Sequence, residues 1–100
     1  MPRYHIKGTE TFEKWFDKLR DKEAYLCISK RLKRVERGHF GDHKSLGGGI
    51  SELKIHYGPG YRVYYTERNG MIILLLAGGD KSTQERDIAK ARKLAKEWKE

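Results

Sequence analysis

One hundred residues are enough for a single domain around one hydrophobic core and too few for two, which excludes multidomain enzymes and large cofactor-binding folds. Lysine and arginine total 22 against 14 aspartate and glutamate, and the resulting net charge of +8 points to a polyanion or an acidic partner. With 37% hydrophobic and 11% aromatic residues, the chain has too much to bury for intrinsic disorder.

Cys27 is the lone cysteine, which rules out an internal disulfide, a zinc ribbon or a Cys-x-x-Cys redox pair. The longest apolar run, Met71 to Ala77, falls far short of the about 20 residues that span a bilayer. The first residues lack a signal-peptide pattern, so no membrane association is expected and the expected location is the cytoplasm.

Tyr4 and Ile6 alternate with His5 and Lys7, a short strand that Gly8 ends. Phe12, Trp15, Phe16 and Leu19 then recur at helical spacing, predicting an amphipathic helix over residues 9–20 with Thr9 as its N-cap. A second helix is predicted over residues 22–37. Ala24, Ile28, Leu32 and Val35 line one face, Asp21 caps the start, and Gly38 suits a left-handed stop. The short link between them makes an antiparallel hairpin. Lys30, Arg31, Lys33, Arg34 and Arg37 crowd the second helix toward its C-terminal end. They suit the helix dipole as a solvated face, and they also form an electrostatic footprint for phosphates.

Residues 38–49 read as a loop by composition. Beyond them the period changes to two. Leu53, Ile55 and Tyr57 alternate with Glu52, Lys54 and His56; Gly58-Pro59-Gly60 turns the chain; Tyr61, Val63 and Tyr65 alternate with Arg62, Tyr64 and Thr66. A three-residue loop over 58–60 puts Ile55 opposite Val63 and Leu53 opposite Tyr65 on an apolar side. On the polar side it puts His56 opposite Arg62 and Lys54 opposite Tyr64. Asn69-Gly70 signals a two-residue type I′ turn into residues 71–77, a run apolar on both faces that reads as a central, doubly covered strand with Ala77 opposite Arg62. Ser82-Thr83-Gln84-Glu85 has the form of a capping box, ahead of a last helix with Ile88, Ala91, Ala95 and Trp98 on one face. The order β-α-α-β-β-β-α describes one α+β domain over residues 1–100, an antiparallel sheet packed on an N-terminal helical hairpin and a C-terminal helix.

That register gathers Lys54, His56 and Arg62 on the polar side, with Lys81 just beyond the last strand. As a solvated face, the cluster has part of its charge balanced by Glu52. As an anion site, it stabilises a phosphate whose charge grows in a transition state. Lys44-Ser45 follows His43 and Lys81-Ser82 follows Asp80, where a nucleotide-binding loop needs glycine, so nucleotide hydrolysis is not expected. His39 and His43 share their loop with Asp42 alone as a further ligand type, and no metal or other cofactor is expected.

Three blocks carry a family resemblance: Lys44-Ser-Leu-Gly-Gly-Gly-Ile-Ser-Glu-Leu-Lys54, Gly58-Pro-Gly-Tyr-Arg-Val-Tyr-Tyr65 and Leu74-Leu-Leu-Ala-Gly-Gly-Asp-Lys-Ser-Thr-Gln-Glu-Arg-Asp-Ile88. Through them the chain resembles the RelE/ParE superfamily of toxins from type II toxin-antitoxin systems, most closely its HigB-like, phage-derived addiction module killer protein branch. The resemblance implies the RelE-like fold and a ribosome-dependent mRNA endoribonuclease, an mRNA interferase. In that reaction a ribose 2′-OH attacks the adjacent phosphate without a metal. Arg62 matches the arginine of the Tyr-Arg motif that contacts the scissile phosphate, Lys54 the basic position of the preceding strand, Lys81 the basic residue after the last strand, and Lys44, more loosely, a loop position.

Arg62 and Lys81 are then stabilisers of the phosphate and its transition state, with Lys54 or His56 as the base. Lys54 needs its pKa lowered by about three units from about 10.4, a direction in which neighbouring cations push. Imidazole needs little tuning. Lys44, Lys30, Arg34 and Arg37 are the remaining expected RNA contacts. The charged tail lacks the Tyr or His that some relatives use, which leaves the general acid unassigned. The implied partners are mRNA on the ribosome and a cognate helix-turn-helix antitoxin, through which alone operator DNA is bound. ParE-like relatives share the fold, lack nuclease activity and poison DNA gyrase, which is the alternative reading.

Overall fold

Two capping side chains start the helical hairpin. In the computed structural model, which describes residues 3–99, Thr9 accepts a hydrogen bond from the Phe12 N–H at 3.1 Å at the head of α1 (Glu10–Asp17). Asp21 accepts from the N–H groups of Glu23 and Ala24 at 2.9 and 3.3 Å at the head of α2 (Lys22–Glu36). The Thr9 hydroxyl also donates to the Leu76 carbonyl at 2.7 Å, so the same cap ties the helix to the sheet.

The strands are β1 (His5–Gly8), β2 (His43–Gly47), β3 (Ile50–Ile55), β4 (Tyr61–Arg68) and β5 (Ile72–Asp80), in the spatial order β1-β5-β4-β3-β2. Strands β2 to β5 run antiparallel as the alternation implies, and β1 adds at the far edge in parallel with β5. The hairpin packs Phe12, Ile28 and Val35 onto Leu53, Ile55, Val63, Tyr65, Ile73 and Leu75. On the other face α3 (Gln84–Glu97) lays Ala91, flanked by Ile88 and Leu94, over Ile50, Tyr64, Leu74, Leu76 and Ala77. Strand β5 is thus covered on both sides, which its unbroken apolar run requires. The mixed α+β architecture is the expected one.

Four local expectations are corrected. Residues 43–47, read as loop, form β2; apart from Leu46, which packs against the core under α3, its residues are exposed at the sheet edge, so no apolar alternation marks it. In the β3–β4 pair, Ile55 faces Tyr61, Lys54 faces Arg62, Leu53 faces Val63 and Glu52 faces Tyr64, two residues from the expected register. The cause is a longer turn: Tyr57 N–H donates to Ile55 at 2.9 Å and Gly60 N–H to Tyr57 at 3.1 Å, with Gly58 and Gly60 at φ of 55° and 82°. His56 therefore leaves the ladder, and Lys54 takes the place across from Arg62.

Between β4 and β5 the turn holds three residues, so Arg68 faces Ile72. A bulge at Leu76 then places Tyr64 opposite Ala77 and Arg62 opposite Gly79 rather than Ala77. The capping box is made by Asp80 and Thr83, not by Ser82 and Glu85. Asp80 accepts from the Ser82 N–H at 2.8 Å, and a single 3-10 turn (Lys81–Thr83) delays the start of α3 to Gln84.

Gly78 lies against the Trp15 ring and Gly79 against Asp87, and a Cβ at either position overlaps those atoms. Gly78→Ala is expected to cost about 1–3 kcal/mol by overpacking, read as a fall of about 4–8 °C in Tm per kcal/mol. A wild-type melting curve for this variant contradicts the close approach of Trp15.

Candidate active site

The end of β3, the start of β4 and the end of β5 meet at one end of the sheet, where the long β3–β4 turn and the 3-10 turn leave a cleft of about 260 Å³ lined by His56, Tyr57, Gly58, Pro59, Gly60, Arg62 and Lys81. Arg62 belongs to its floor and is only 5% exposed. Its Nη1 donates to the Gly60 and Tyr61 carbonyls at 3.2 and 3.1 Å, which pins the guanidinium under the turn. Its Nε lies 3.7 Å from the Glu52 carboxylate, itself 3% exposed. That separation gives Coulombic pairing without a hydrogen bond. Glu52 Oε2, Arg62 Nε and the Tyr64 hydroxyl are all buried without a hydrogen-bond partner. Burial, with the nearby Glu52 charge, pushes the Tyr64 phenol up to about 12.

Lys81 is exposed on the opposite lip. Its backbone N–H donates to the Gly60 carbonyl at 3.0 Å, locking the 3-10 turn to the β3–β4 turn. Its chain passes Gly60 so closely that an added Cβ there lies 3.1 Å from Lys81 Cδ and 3.6 Å from Arg62 Nη1. His56 stands exposed at the mouth with its Nε2 2.5 Å from the Asp42 carboxylate, and this hydrogen bond holds the Asp42 carboxyl below the usual carboxylate range.

The structure therefore brings His56, Arg62 and Lys81 into one cleft. Lys54 is half-buried beside it, directly across the strand from Arg62. Lys44 faces Glu52 and so shares that side of the sheet, one strand farther toward the edge. Lys30, Arg34 and Arg37 are not brought to the cleft. They are exposed on or just beyond α2, which packs on the other face of the sheet, and so form a basic patch separate from the cleft.

Sequence reasoning gives Glu52 only as a balancing charge and Asp42 only as a loop neighbour of His39 and His43, and assigns neither to a specific partner in the site. Strict alternation already put Glu52 on the side of Lys54 and Arg62, but only the cover of α3 makes that side an interior. Asp42 reaches His56 through the β2–β3 pairing that the loop reading hid.

Removing one member of a buried ion pair strands the other charge, so Arg62→Ala is expected to cost about 3–5 kcal/mol, of which adding Glu52→Gln recovers most. Urea denaturation of the two single variants and the double variant measures this, and additive losses contradict the pairing. The Tyr64 phenol keeps its proton to about 12 in the folded chain, against an ordinary 10.0. The unfolded chain releases that proton first, so stability falls as pH rises through this interval. Ultraviolet titration is expected to show a tyrosine that ionises only as the fold opens.

Residues 14–98 match the sequence profile of the phage derived protein Gp49-like family, a span that takes in every residue lining the cleft. An uncharacterized protein of Haemophilus influenzae (strain Rd) is 51% identical over 92 residues, covering 92% of this chain and 93% of that protein. The free-state structure of the E. coli toxin RelE, determined as a double arginine-to-alanine mutant, superposes with a TM-score of 0.75 at 20% identity, over 91% of this chain and 96% of that one. This last likeness is one of fold. The chain belongs to the phage derived protein Gp49-like family, and its fold is that of RelE.

Proposed function

We propose that the protein is the toxin of a toxin-antitoxin module and acts as a ribosome-dependent, metal-independent mRNA endoribonuclease of the HigB-like branch. The observation that carries this reading is the convergence of Arg62, Lys81 and His56 on one open cleft. A scissile phosphate gathers negative charge as a 2′-oxygen adds to it. Cations already in place stabilise that charge at little reorganisation cost. Arg62 is held by two turn carbonyls and a buried carboxylate, so its orientation does not depend on the ligand. Lys81 is exposed and free to follow the phosphate oxygens.

His56 or Lys54 takes the 2′-OH proton. The O2′–P bond forms as the P–O5′ bond breaks, leaving a cyclic phosphate on one product and a 5′-hydroxyl on the other. The cleft lies at the surface, which suits a polymer threaded past it rather than an engulfed small molecule.

A surface this basic fits an acidic antitoxin, with operator DNA reached through the antitoxin complex, and it fits the phosphates of a ribosome in the cytoplasm. Among the described residues no helix is long and apolar enough to cross a membrane. Lys44 lies on the cleft's side of the sheet, which supports reading it as a contact for RNA flanking the scissile step.

Primer extension on a reporter mRNA after brief induction tests the reading. Wild type is expected to give discrete, translation-dependent cuts. Lys81→Ala and His56→Ala alter exposed side chains and leave the core intact, and the loss of an electrostatic stabiliser such as Lys81 is expected to reduce cutting by about 10²–10³-fold. Arg62→Ala is examined together with Glu52→Gln so that loss of folding is not mistaken for loss of activity. Growth arrest with intact mRNA contradicts the nuclease and transfers the assignment to a protein target such as gyrase.

A further inference from the structure

We propose, resting on the nuclease reading above, that His56 is the general base and that Asp42 and Arg31 are positioning residues that fix its tautomer and its place at the cleft mouth. His56 is the first residue past β3, so no ladder hydrogen bond holds it. What fixes its ring is Asp42, whose Oδ2 lies 2.5 Å from Nε2. A carboxylate only accepts, so the ring donates Nε2–H to it and presents the Nδ1 lone pair as its basic site.

Asp42 itself sits in an exposed connection and needs an anchor of its own. Its carbonyl accepts from the Lys54 N–H at 2.9 Å and from Arg31 Nη1 at 3.2 Å. The same guanidinium reaches the Phe40 carbonyl at 3.2 Å through Nη1 and the Lys54 carbonyl at 2.9 Å through Nη2. It also lies flat against Gly41, where an added Cβ falls 3.0 Å from Arg31 Cζ. One partly buried arginine from α2 thus clamps the Asp42 connection to the end of β3, the point from which His56 departs. Arg31 differs in this from its neighbours Lys30 and Arg34, which face solvent.

The charges around the pair agree with this division of labour. Asp42 is faced by His56, Lys54 and Arg31, all of which favour its ionised form. His56 shares the cleft with Tyr57, Arg62 and Lys81. Lys54 stands across the ladder from Arg62 and is not part of the cleft lining, which places it to strengthen the phosphate field rather than to take the proton. In the step itself the 2′-OH proton passes to His56 Nδ1 and O2′ bonds to phosphorus. The P–O5′ bond breaks, the departing 5′-oxygen takes a proton from water, and His56 returns its own to solvent.

The test combines single-turnover cleavage of a defined mRNA on programmed ribosomes with the long-range ¹⁵N–¹H spectrum of His56 in the free protein. Asp42→Asn is expected to lower kcat at least tenfold with KM unchanged, and Asp42→Glu to restore part of it. Arg31→Gln is expected to lower kcat several-fold in a chain whose circular dichroism is unaltered. His56→Ala is expected to lose more than either, with no further loss when Asp42→Asn is added. Lys54→Ala is expected to raise KM more than it lowers kcat.

The spectrum is expected to show the Nε2–H form in wild type and a mixture of tautomers in Asp42→Asn. Near-normal kcat in His56→Ala, an effect of Asp42→Asn on KM alone, or a tautomer indifferent to Asp42 each overturns the assignment. A wild-type protein that cuts nothing overturns the nuclease reading and the catalytic role together. The spectrum then separately reports whether the pair exists.

Discussion

The charge pair between Glu52 and Arg62 constrains more of this molecule than any apolar contact does. Both side chains point to the face of the sheet that α3 covers, and both are almost fully withdrawn from water. A guanidinium in that position pays for its desolvation only if a carboxylate accompanies it. The pair in turn excludes every register offset by an odd number of residues, and the β3–β4 turn selects among those that remain. Glu52 and Lys54 must share a face with Arg62 and Tyr64, which the β3–β4 pairing provides. The roof over them must also come close, which it does where Asp87 of α3 settles against Gly79.

The two faces of the sheet consequently serve different ends. The hairpin side is an ordinary apolar core in which Leu53, Val63 and Ile73 are fully buried. The α3 side mixes apolar packing near the sheet centre with a charged strip toward the end where the cleft opens. Orphaned buried polar atoms concentrate in that strip. On stability grounds such groups are costly, and an apolar replacement often does as well or better.

How far the sequence could be read depended on which force set each feature. Helical stripes and caps at Thr9 and Asp21 are local, and they were legible with little error. The double burial of β5 was legible from its unbroken apolar run. Register was not, because the length of the β3–β4 turn depends on hydrogen bonds of Tyr57 and Gly60 that leave no periodic trace. Strand β2 was hidden because an exposed edge strand has no apolar face to alternate. For the site, Arg62, His56 and Lys81 were named from the sequence and the fold gathers them. The partners that orient them, Glu52, Asp42 and Arg31, act across strands and loops, where spacing carries no signal.

The bulge at Leu76 adds one residue to β5 between the packed centre of the sheet and the end where the cleft opens. Because successive residues of a strand point to opposite sides, that insertion decides which of Gly78 and Gly79 lies under Trp15 and which under Asp87. It also decides on which side of the sheet the chain emerges to begin Lys81. The spacing between Leu75 and Lys81 thus acts as a gauge block for the cleft. Substitutions along β5 that respect volume leave that spacing intact, whereas the loss or gain of a single residue there reverses the strand's outer half and carries Lys81 away from Arg62.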